Sequence, residues 1–370
     1  MANLRQYIQR LAKSFQPRDT PDDEERLIKA EEDGQQQSPS TTGRRWPAPG
    51  KVTLWLLFMD LIIFVALLWI LNPLITLLNR NEELFPADLK FDPEAKAHKN
   101  WDPASPNAIP RILHQTSANS TIPAKWVESQ GSCLKTYPDW EYKLWTDESF
   151  REFLVANYPW FVDSWDNYPF PIQRADSLRY FVLYHYGGMY LDMDTVCNKS
   201  IPIHQFDPSV PIAIWQSTLP TGVTNDFMMA SARHPAYERL ITQLPVYFKR
   251  THWWGHLQPY CNIMIAAGPM FVTLVLMGFL LEQPSLPSPL LKVIEPLELM
   301  PFITDLQSST WHGSDAQALM WLGVRPWSWY ALGVVGLIIG LWLVNWAVVA
   351  LYKVVSRKAP ELMNKEVKLN

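Results

Sequence analysis

Two long apolar runs enclose the middle of the chain. The first, Thr53 to Leu71, is about 19 residues long and apolar except for Asp60, and the second extends from about Trp327 to Tyr352. About 20 consecutive apolar residues are enough for a helix to cross the hydrocarbon core of a bilayer. The pattern therefore predicts transmembrane helices over 52–78 and 326–353.

A third apolar run, Ile263–Leu281, carries no charge but is interrupted by Ala267-Gly268-Pro269 and has no basic residue at either end. A crossing here would place His312 and Asp192 on opposite sides of the membrane. We therefore expect this run to form a buried or membrane-surface helix, with a segment that dips into the bilayer as the alternative.

Basic residues flank the two spans on their outer sides. They are Arg44, Arg45 and Lys51 before the first span and Lys353, Arg357 and Lys358 after the second. By the positive-inside rule both ends of the chain are cytosolic and the middle is luminal. The expected organisation is a basic, disordered cytosolic tail (1–51), a transmembrane helix (52–78), a stem (79–107), a luminal catalytic domain (108–325), a transmembrane helix (326–353) and a cytosolic tail (354–370).

Strand and helix patterns alternate within the luminal segment. The pattern predicts strands ending at Thr116, over Glu141–Trp145 and over Ile212–Gln216, and helices around 123–136 and after Asp147, a good N-cap residue. Such alternation is typical of an α/β domain with a mostly parallel sheet. Ligands bind beyond the carboxyl ends of the strands in sheets of this kind.

Two acids follow one of these strands. Gly187-Gly188-Met189-Tyr190-Leu191 leads into Asp192-Met193-Asp194, and alternation along a strand turns Asp192 and Asp194 to one side while Met193 points into the core. Mn²⁺ and Mg²⁺ prefer such oxygen ligands and commonly bind through one or two carboxylates plus substrate phosphates. The sequence predicts a metal-dependent enzyme that acts on a nucleotide-activated substrate.

A helix directly upstream carries Arg174, Asp176 and Arg179. Asp176 and Arg179 are three residues apart and share a face, so they form either part of the site or an ordinary exposed ion pair. The net charge of −4 and the lack of a basic stripe argue against a nucleic-acid partner. Three cysteines, at 133, 197 and 261, allow one disulfide, and the pairing stays open.

The whole run RADSLRYFVLYHYGGMYLDMDT resembles the signature of glycosyltransferase family 32. The resemblance implies a GT-A-type (Rossmann-like) domain with retention of anomeric configuration. It implies that Asp194 ligates the metal and that Asp192 holds ribose or sugar hydroxyls and part of the metal's water shell. Asp176 and Arg179 would grip the donor sugar, with Arg179 or Arg174 near the diphosphate.

Three further segments match motifs of that family. His114-Gln115-Thr116 would lie beside the nucleotide, although His114 fits a satisfied core histidine equally well. Asn225-Asp226 would face the donor sugar, and the alternative is a simple turn. His312, in Thr310-Trp311-His312-Gly313-Ser314, would complete the metal or diphosphate shell.

Two spans around one domain suit an acceptor embedded in the bilayer. Within the family the chain is most similar to the fungal enzymes that mannosylate inositol phosphorylceramide, which implies GDP-mannose as donor, a multi-pass regulatory membrane subunit and a Golgi location. The alternatives are a Golgi N-glycan or other glycolipid transferase and an inactive membrane scaffold. Asn119 and Asn198 begin glycosylation sequons, and we expect Asn198 to be sheltered.

Asp60 lies about 12 Å inside the first span, too deep for its short side chain to reach the interface. A carboxylate there costs roughly 2.5–3.5 kcal/mol on insertion scales. We therefore expect it to have a polar partner, either Asn345 of the second span or a residue of a regulatory subunit, and the alternative is that Asp60 reaches interfacial water.

Overall fold

A computed structural model describes residues 51–306, 315–317, 321 and 326–366. The chain divides into the units Met1–Phe58 and Met59–Asn370. In the first unit the described residues 51–58 are the start of a helix, and the sheet and the helices packed on it belong to the second unit.

Two long helices carry the apolar runs. Helix α1 (Lys51–Leu84) contains Pro73 and is kinked at Arg80, and helix α10 (Pro326–Glu366) is the last described element. Their segments Leu54–Leu84 and Ala331–Val354 are long and apolar enough to cross a membrane. In the most apolar window of each segment, no part is buried against the rest of the described protein. Exposed apolar surface of this extent is typical of a membrane protein.

Between α1 and α10 the helices and strands alternate as predicted. The helices are α2 (Val127–Thr136), α3 (Asp147–Asn157), α4 (Pro159–Asp166), α5 (Pro171–Tyr186), α6 (Pro235–Thr251), α7 (Pro259–Ala266), α8 (Pro269–Leu281) and α9 (Pro296–Leu299). The strands are β1 (Ile112–Thr116), β2 (Glu141–Trp145), β3 (Gly188–Leu191), β4 (Thr195–Cys197), β5 (Ala213–Ser217), β6 (Val223–Ala230), β7 (Leu291–Ile294) and β8 (Ile303–Asp305). The cap of α3 is Thr146, in a reciprocal capping box with Ser149, and not Asp147, which is the first helical residue.

Six strands form one sheet in the order β2-β1-β3-β6-β5-β7. Three of the five pairings are parallel, and β6 runs antiparallel to both of its neighbours. The structure confirms the predicted α/β class with a mostly parallel sheet. Because β6 is reversed, its first residues lie at the same edge of the sheet as the carboxyl ends of the other strands.

The third apolar run is part of the folded domain. It forms α7 and α8, separated at Ala267-Gly268, and two thirds of its most apolar window is buried. The Tyr180 hydroxyl donates to the Ala267 carbonyl at 2.5 Å and so fixes the break between the helices. The predicted buried helix is confirmed, although as two helices.

Apolar residues on the two faces of the sheet form two clusters that contain most of the core. The stem lies against these clusters and is not a free spacer. Phe85 joins one cluster and Phe91 the other, and the Leu89 amide donates to the Val293 carbonyl at 3.1 Å. The segment after α1 therefore extends the sheet by one bridge beside β7.

Asp60 has the partner that the sequence predicts. The Asn345 side-chain amide donates to both Asp60 carboxylate oxygens, at 3.2 and 3.0 Å. Because the two residues belong to α1 and α10, this contact joins the two apolar helices. Contact with interfacial water, the alternative, is therefore not needed to explain a carboxylate at this position of the helix.

Candidate active site

The two acids lie in a tight turn at the carboxyl end of β3. The Thr195 amide donates to the Asp192 carbonyl at 3.1 Å and closes the turn, Met193 is buried, and both carboxylates are partly exposed. Gly188, at φ +96°, starts β3 so close to β1 that a Cβ would lie 2.5 Å from the Ile112 carbonyl oxygen. The glycine pair thus determines how closely β3, and the acids after it, approach β1.

Arg179 is the centre of the buried charge network. Its guanidinium lies 2.9 Å from an Asp176 oxygen and 3.3 Å from an Asp192 oxygen, and it donates to the Asn225 carbonyl at 2.5 Å. The Arg179 and Asp176 side chains are only 4% and 6% exposed. The alternative of an ordinary exposed pair is therefore wrong, since a pair at this depth requires a full set of partners.

Asn225 lies in β6 and not in a turn, so the turn alternative for Asn225-Asp226 is wrong. Its side-chain amide donates to Asp176 at 3.1 Å and to the Tyr180 hydroxyl at 2.9 Å. The Asp192 amide donates to the Asp226 carbonyl at 3.2 Å, because β3 and β6 are antiparallel neighbours. The structure thus brings Asp176, Arg179, Asp192, Asn225 and Asp226 together.

Tyr190 is a site residue that the sequence reasoning missed. Its hydroxyl donates to Asp192 at 2.8 Å and lies 3.1 Å from the Thr116 hydroxyl, while the Arg179 guanidinium is 4.7 Å from the centre of its ring. The alternation of side chains along a strand could have indicated it, because Tyr190 and Asp192 are two residues apart. The tyrosine determines which way the Asp192 carboxylate points.

The end of β1 contacts the turn that carries Asp192 and Asp194. Gln115 is buried, and its side-chain amide donates to the Asp192 carbonyl at 3.4 Å while its oxygen accepts from Tyr142 at 3.1 Å. Thr116 reaches Asp192 only through Tyr190. Gln115 and Thr116 thus lie next to the site, and their described hydrogen bonds are to other residues of the chain.

His114 has the contacts of a core residue. It is fully buried, with Nε2 2.9 Å from the Gly187 carbonyl oxygen and Nδ1 accepting from the Trp145 indole at 3.0 Å. Both ring nitrogens are therefore used, and burial lowers the pKa of His114 to about 4. Of the two alternatives left open by the sequence, the structure favours the satisfied core histidine over a contact to the nucleotide.

Arg174 is not joined to the acid pair. Its guanidinium pairs with Asp147 at 3.4 Å and lies 5.5 Å from the Trp165 ring centre. Asp147 begins α3 directly after β2, so Arg174 lies at the carboxyl edge of the sheet but beside a different strand. The assignment of Arg179 to the region of the diphosphate thus has geometric support that the assignment of Arg174 lacks.

Burial and crowding of like charges raise the pKa values of the carboxyl groups at this edge. Burial raises the pKa of Asp226 to about 7, with Asp192 and Asp305 as the further causes. Burial also raises the pKa of Asp192 and that of Asp176, and Arg179 opposes both shifts. Asp305 was missed by the sequence reasoning because it comes from β8, far away in the chain.

Helix α2 holds the acid turn and β4 from the other side. Ser129 donates to the Met193 carbonyl at 2.7 Å, Ser132 accepts from the Cys197 amide at 2.9 Å, and a disulfide joins Cys133 to Cys197. On the outer side, the Leu306 amide donates to the Asp194 carbonyl at 3.1 Å. The turn that carries the acids is therefore fixed on both flanks.

The carboxylates of Asp192 and Asp194 fit a divalent cation. They are hard oxygen donors at a strand end, and Mg²⁺ or Mn²⁺ typically completes such a pair with water and phosphate oxygens. In the described ranges no group of three or more His, Cys, Asp or Glu side chains could hold a metal ion. His312, the third predicted ligand, lies outside the described residues.

The segment that carries the acid turn and the buried arginine matches a family of DXD-containing glycosyltransferases. Residues 123–216 match the family described as "Glycosyltransferase sugar-binding region containing DXD motif". The PaToxG glycosyltransferase, a solved structure, is 15% identical with a TM-score of 0.34 over 60% of this chain and 80% of that chain.

Three fungal relatives narrow the comparison. Inositol phosphoceramide mannosyltransferase 3 of Schizosaccharomyces pombe is 43% identical over 45% of this chain and 45% of that protein. Mannosyl phosphorylinositol ceramide synthase CSH1 of Saccharomyces cerevisiae is 34% identical over 62% of this chain and 60% of that protein. Inositol phosphoceramide mannosyltransferase 1 of S. pombe is 32% identical over 60% of this chain and 67% of that protein.

The chain belongs to the DXD-containing glycosyltransferase family that includes these inositol phosphoceramide mannosyltransferases. The predicted resemblance is thereby confirmed. The matched part of the chain covers 45% of the length of the S. pombe mannosyltransferase 3 and 60% of CSH1, less than two thirds of either protein.

Proposed function

We propose that the protein is a membrane-bound, retaining mannosyltransferase that transfers mannose from GDP-mannose to inositol phosphorylceramide in sphingolipid biosynthesis. The observation that carries the proposal is the buried Arg179, held between Asp176 and Asp192 at the turn that also bears Asp194. This arrangement places the Arg179 guanidinium and the carboxylates of Asp192 and Asp194 at the carboxyl edge of the sheet, where ligands bind in α/β domains. The names of the fungal relatives support the choice of sugar and acceptor.

In this reaction the bond between the sugar C1 and the diphosphate oxygen breaks, and GDP leaves with the electron pair. A bond forms between C1 and an acceptor hydroxyl oxygen, whose proton is released to solvent, so that the products are the mannosylated acceptor, GDP and a proton. Asp192 and Asp194 would hold Mn²⁺ or Mg²⁺, and such a cation supplies Lewis-acid neutralisation of the departing diphosphate. The retaining course of the reaction is part of the proposal, and we assign no nucleophile.

The residues of the chain bind and orient the donor. Arg179 places a fixed positive charge beside Asp192, in a buried setting where such a charge acts more strongly than in water. Tyr190 orients Asp192 by donating to it, and Asn225 orients Asp176 in the same way. Asp176 and Asp226 belong to the same charge cluster and are the carboxylates that we assign to accept from sugar hydroxyls.

We propose that the domain is luminal, in the Golgi, with both ends of the chain cytosolic and with the domain limits expected from the sequence. The Cys133–Cys197 disulfide supports an oxidising compartment. Asn119 and Asn198 are both exposed, contrary to the expectation that Asn198 is sheltered. The proposed multi-pass regulatory subunit has ample surface to bind, because apolar side chains are exposed along both membrane helices.

The test is a specificity panel with the purified full chain in mild detergent. Labelled GDP-mannose and UDP-sugars are each offered with inositol phosphorylceramide, another glycolipid or a mannosylated glycopeptide, with Mn²⁺ or Mg²⁺ present. We expect transfer only from GDP-mannose to inositol phosphorylceramide. Transfer to the glycopeptide would favour the N-glycan alternative, and inactivity with every pair, even with co-expressed membrane partners, would favour the scaffold.

A further inference from the structure

The end of α1 that we propose to be luminal packs against the core of the catalytic domain. Leu77 and Leu84 of α1 are 1% exposed, and both belong to the core cluster on one face of the sheet. The Asn81 side-chain oxygen accepts from the Thr221 hydroxyl at 2.5 Å and from the Gly222 amide at 2.9 Å. Helix α1 is therefore a fixed part of the domain where it leaves the apolar run.

The turn that Asn81 holds leads directly to the candidate active site. Residues 218–222 connect β5 to β6, and Asn225 follows Gly222 by three residues, about 10 Å along an extended strand. Gly222 has φ +87°, and a Cβ there would lie 2.3 Å from the Thr273 methyl group. The Thr273 hydroxyl also bonds the Val223 amide and carbonyl, both at 3.0 Å. The turn is thus fixed between α1 and α8.

A cleft of about 580 Å³ lies at this junction. Its lining residues come from α1 and from the β5–β6 turn, and they are Leu78, Asn79, Arg80, Asn81, Glu82, Glu83, Pro220 and Thr221. The volume falls within the range of about 300–1,000 Å³ typical of small-molecule sites. The kink of α1 lies at Arg80, one of the residues that line the cleft.

The position of the cleft along α1 matches the membrane surface. No charged residue lies between Asp60 and Arg80, and the exposed apolar side chains of the helix end at Leu78. Leu219, at the tip of the turn, is 94% exposed and directly precedes Pro220 and Thr221, which line the cleft. Polar side chains directly above an apolar span lie at the depth of lipid headgroups.

The chemistry of the lining suits a polyol. The carboxylates of Glu82 and Glu83 and the side-chain amide of Asn79 are hydrogen-bonding partners for hydroxyl groups, and the one cation, Arg80, pairs with Glu83 at 2.7 Å. A hydroxyl-rich headgroup would replace its water contacts with these side chains.

We propose that this cleft receives the polyhydroxylated headgroup of the membrane-embedded lipid acceptor and directs it along the β5–β6 turn to the donor site. The inference rests on the proposed function, in which the acceptor is inositol phosphorylceramide. It adds an acceptor subsite made of residues from the end of α1 and from the turn, distinct from Asp192, Asp194 and Arg179.

The test uses the full chain in mixed micelles with the double variant Asn79→Ala/Glu82→Gln. Both side chains are exposed in the cleft, so their replacement leaves the core intact. At saturating GDP-mannose we expect KM for inositol phosphorylceramide to rise at least about 5-fold. The inhibition constant of myo-inositol 1-phosphate, used as a soluble headgroup, rises in parallel. KM for GDP-mannose and the rate of donor hydrolysis without acceptor stay at the wild-type values.

The matched control is Glu152→Gln, which removes an exposed carboxylate on α3 that does not line the cleft. An unchanged KM for the lipid in the double variant, with wild-type transfer intact, overturns the acceptor subsite alone. A rise in KM for GDP-mannose also overturns it, because the residues would then act on the donor. If the wild-type protein transfers no mannose to the lipid, the proposed function fails and the acceptor subsite falls with it.

Discussion

At the scale of single residues, the Arg179 guanidinium is shared by two carboxylates and one backbone carbonyl. Lysine keeps the charge but offers no planar fork of donors, so it cannot satisfy the three partners in the same geometry. We expect Arg179→Lys to lower kcat/KM for GDP-mannose about 100-fold or more. The measurement is initial-rate kinetics with the lipid acceptor at saturation.

Arg151→Lys is the matched control for this prediction. Arg151 makes a two-pronged pair with Asp166 at the surface of α3, with its side chain 51% exposed, and surface pairs contribute little. Its replacement should leave kinetics unchanged. Equal effects of the two substitutions would show that Arg179 acts through general stability and not at the site.

His114 makes stability dependent on pH. Because its pKa falls from 6.5 to about 4 in the folded protein, the unfolded chain binds more protons between these values. The contribution is fully present above pH 6.5 and is lost as the pH falls toward 4, up to roughly 3 kcal/mol in total. We expect this contribution to lower the Tm in detergent between pH 7.5 and pH 5, while the raised pKa of Asp226 acts in the opposite direction.

His114→Gln should reduce this dependence on pH, since the amide does not titrate in this range. Part of the dependence remains, because burial also lowers the pKa of His234 to about 4. A variant whose Tm falls as steeply with pH as that of the wild-type protein would remove His114 as a cause. The measurement is thermal unfolding followed by tryptophan fluorescence.

The residues that the sequence predicts best are those whose role depends on local spacing. Asp192 and Asp194 follow the strand end that the pattern predicts, and Asp176 and Arg179 share a helix face because they are three apart. The role of His114 could not be decided, because its partners Gly187 and Trp145 come from other elements. Asp305 approaches Asp192 only after β8 pairs with β4, which no local pattern indicates.

At the scale of elements, α1 and α10 are joined by the Asp60–Asn345 contact. Interhelical polar contacts in membranes contribute about 0.6 kcal/mol on average and up to about 1.7. We expect Asn345→Leu to lower stability by more than this, since it leaves the Asp60 carboxylate without its described partner. The measurement is the Tm in mild detergent.

The double variant Asp60→Leu/Asn345→Leu is the informative comparison. Removing both polar groups should recover most of the Tm lost in Asn345→Leu, because no unpaired carboxylate is left. Additive losses would mean that the two residues act independently. Loss of a co-expressed membrane partner in Asp60→Leu alone would point to the regulatory subunit as a second partner.

The elements themselves were predictable where the pattern was strong. Strand β2 has the predicted limits, and the two membrane helices follow from apolar length. The third apolar run shows the limit of that argument, because length and hydropathy do not distinguish a buried pair of helices from a span. Its burial depends on α5, α6 and the sheet, which surround it only in the folded domain.

At the scale of the whole molecule, the proposal requires the domain to be luminal. Asn119 is exposed and begins a sequon, so it should carry a glycan in the secretory pathway. We expect a shift in mobility on glycosidase treatment that is reduced in Asn119→Gln and abolished when Asn198→Gln is added. Protease protection of the N-terminus in sealed microsomes would contradict this topology.

The central claim is that the acid turn after β3 performs mannosyl transfer with a divalent cation. The most direct measurement is transfer of labelled mannose from GDP-mannose to inositol phosphorylceramide by the purified full chain, with Asp194→Asn and the matched control Asp139→Asn, whose carboxylate is exposed before β2. We predict that Asp194→Asn and excess chelator each abolish transfer while Asp139→Asn is fully active and all three proteins unfold at similar temperatures. Transfer that persists in Asp194→Asn or in chelator would contradict the account.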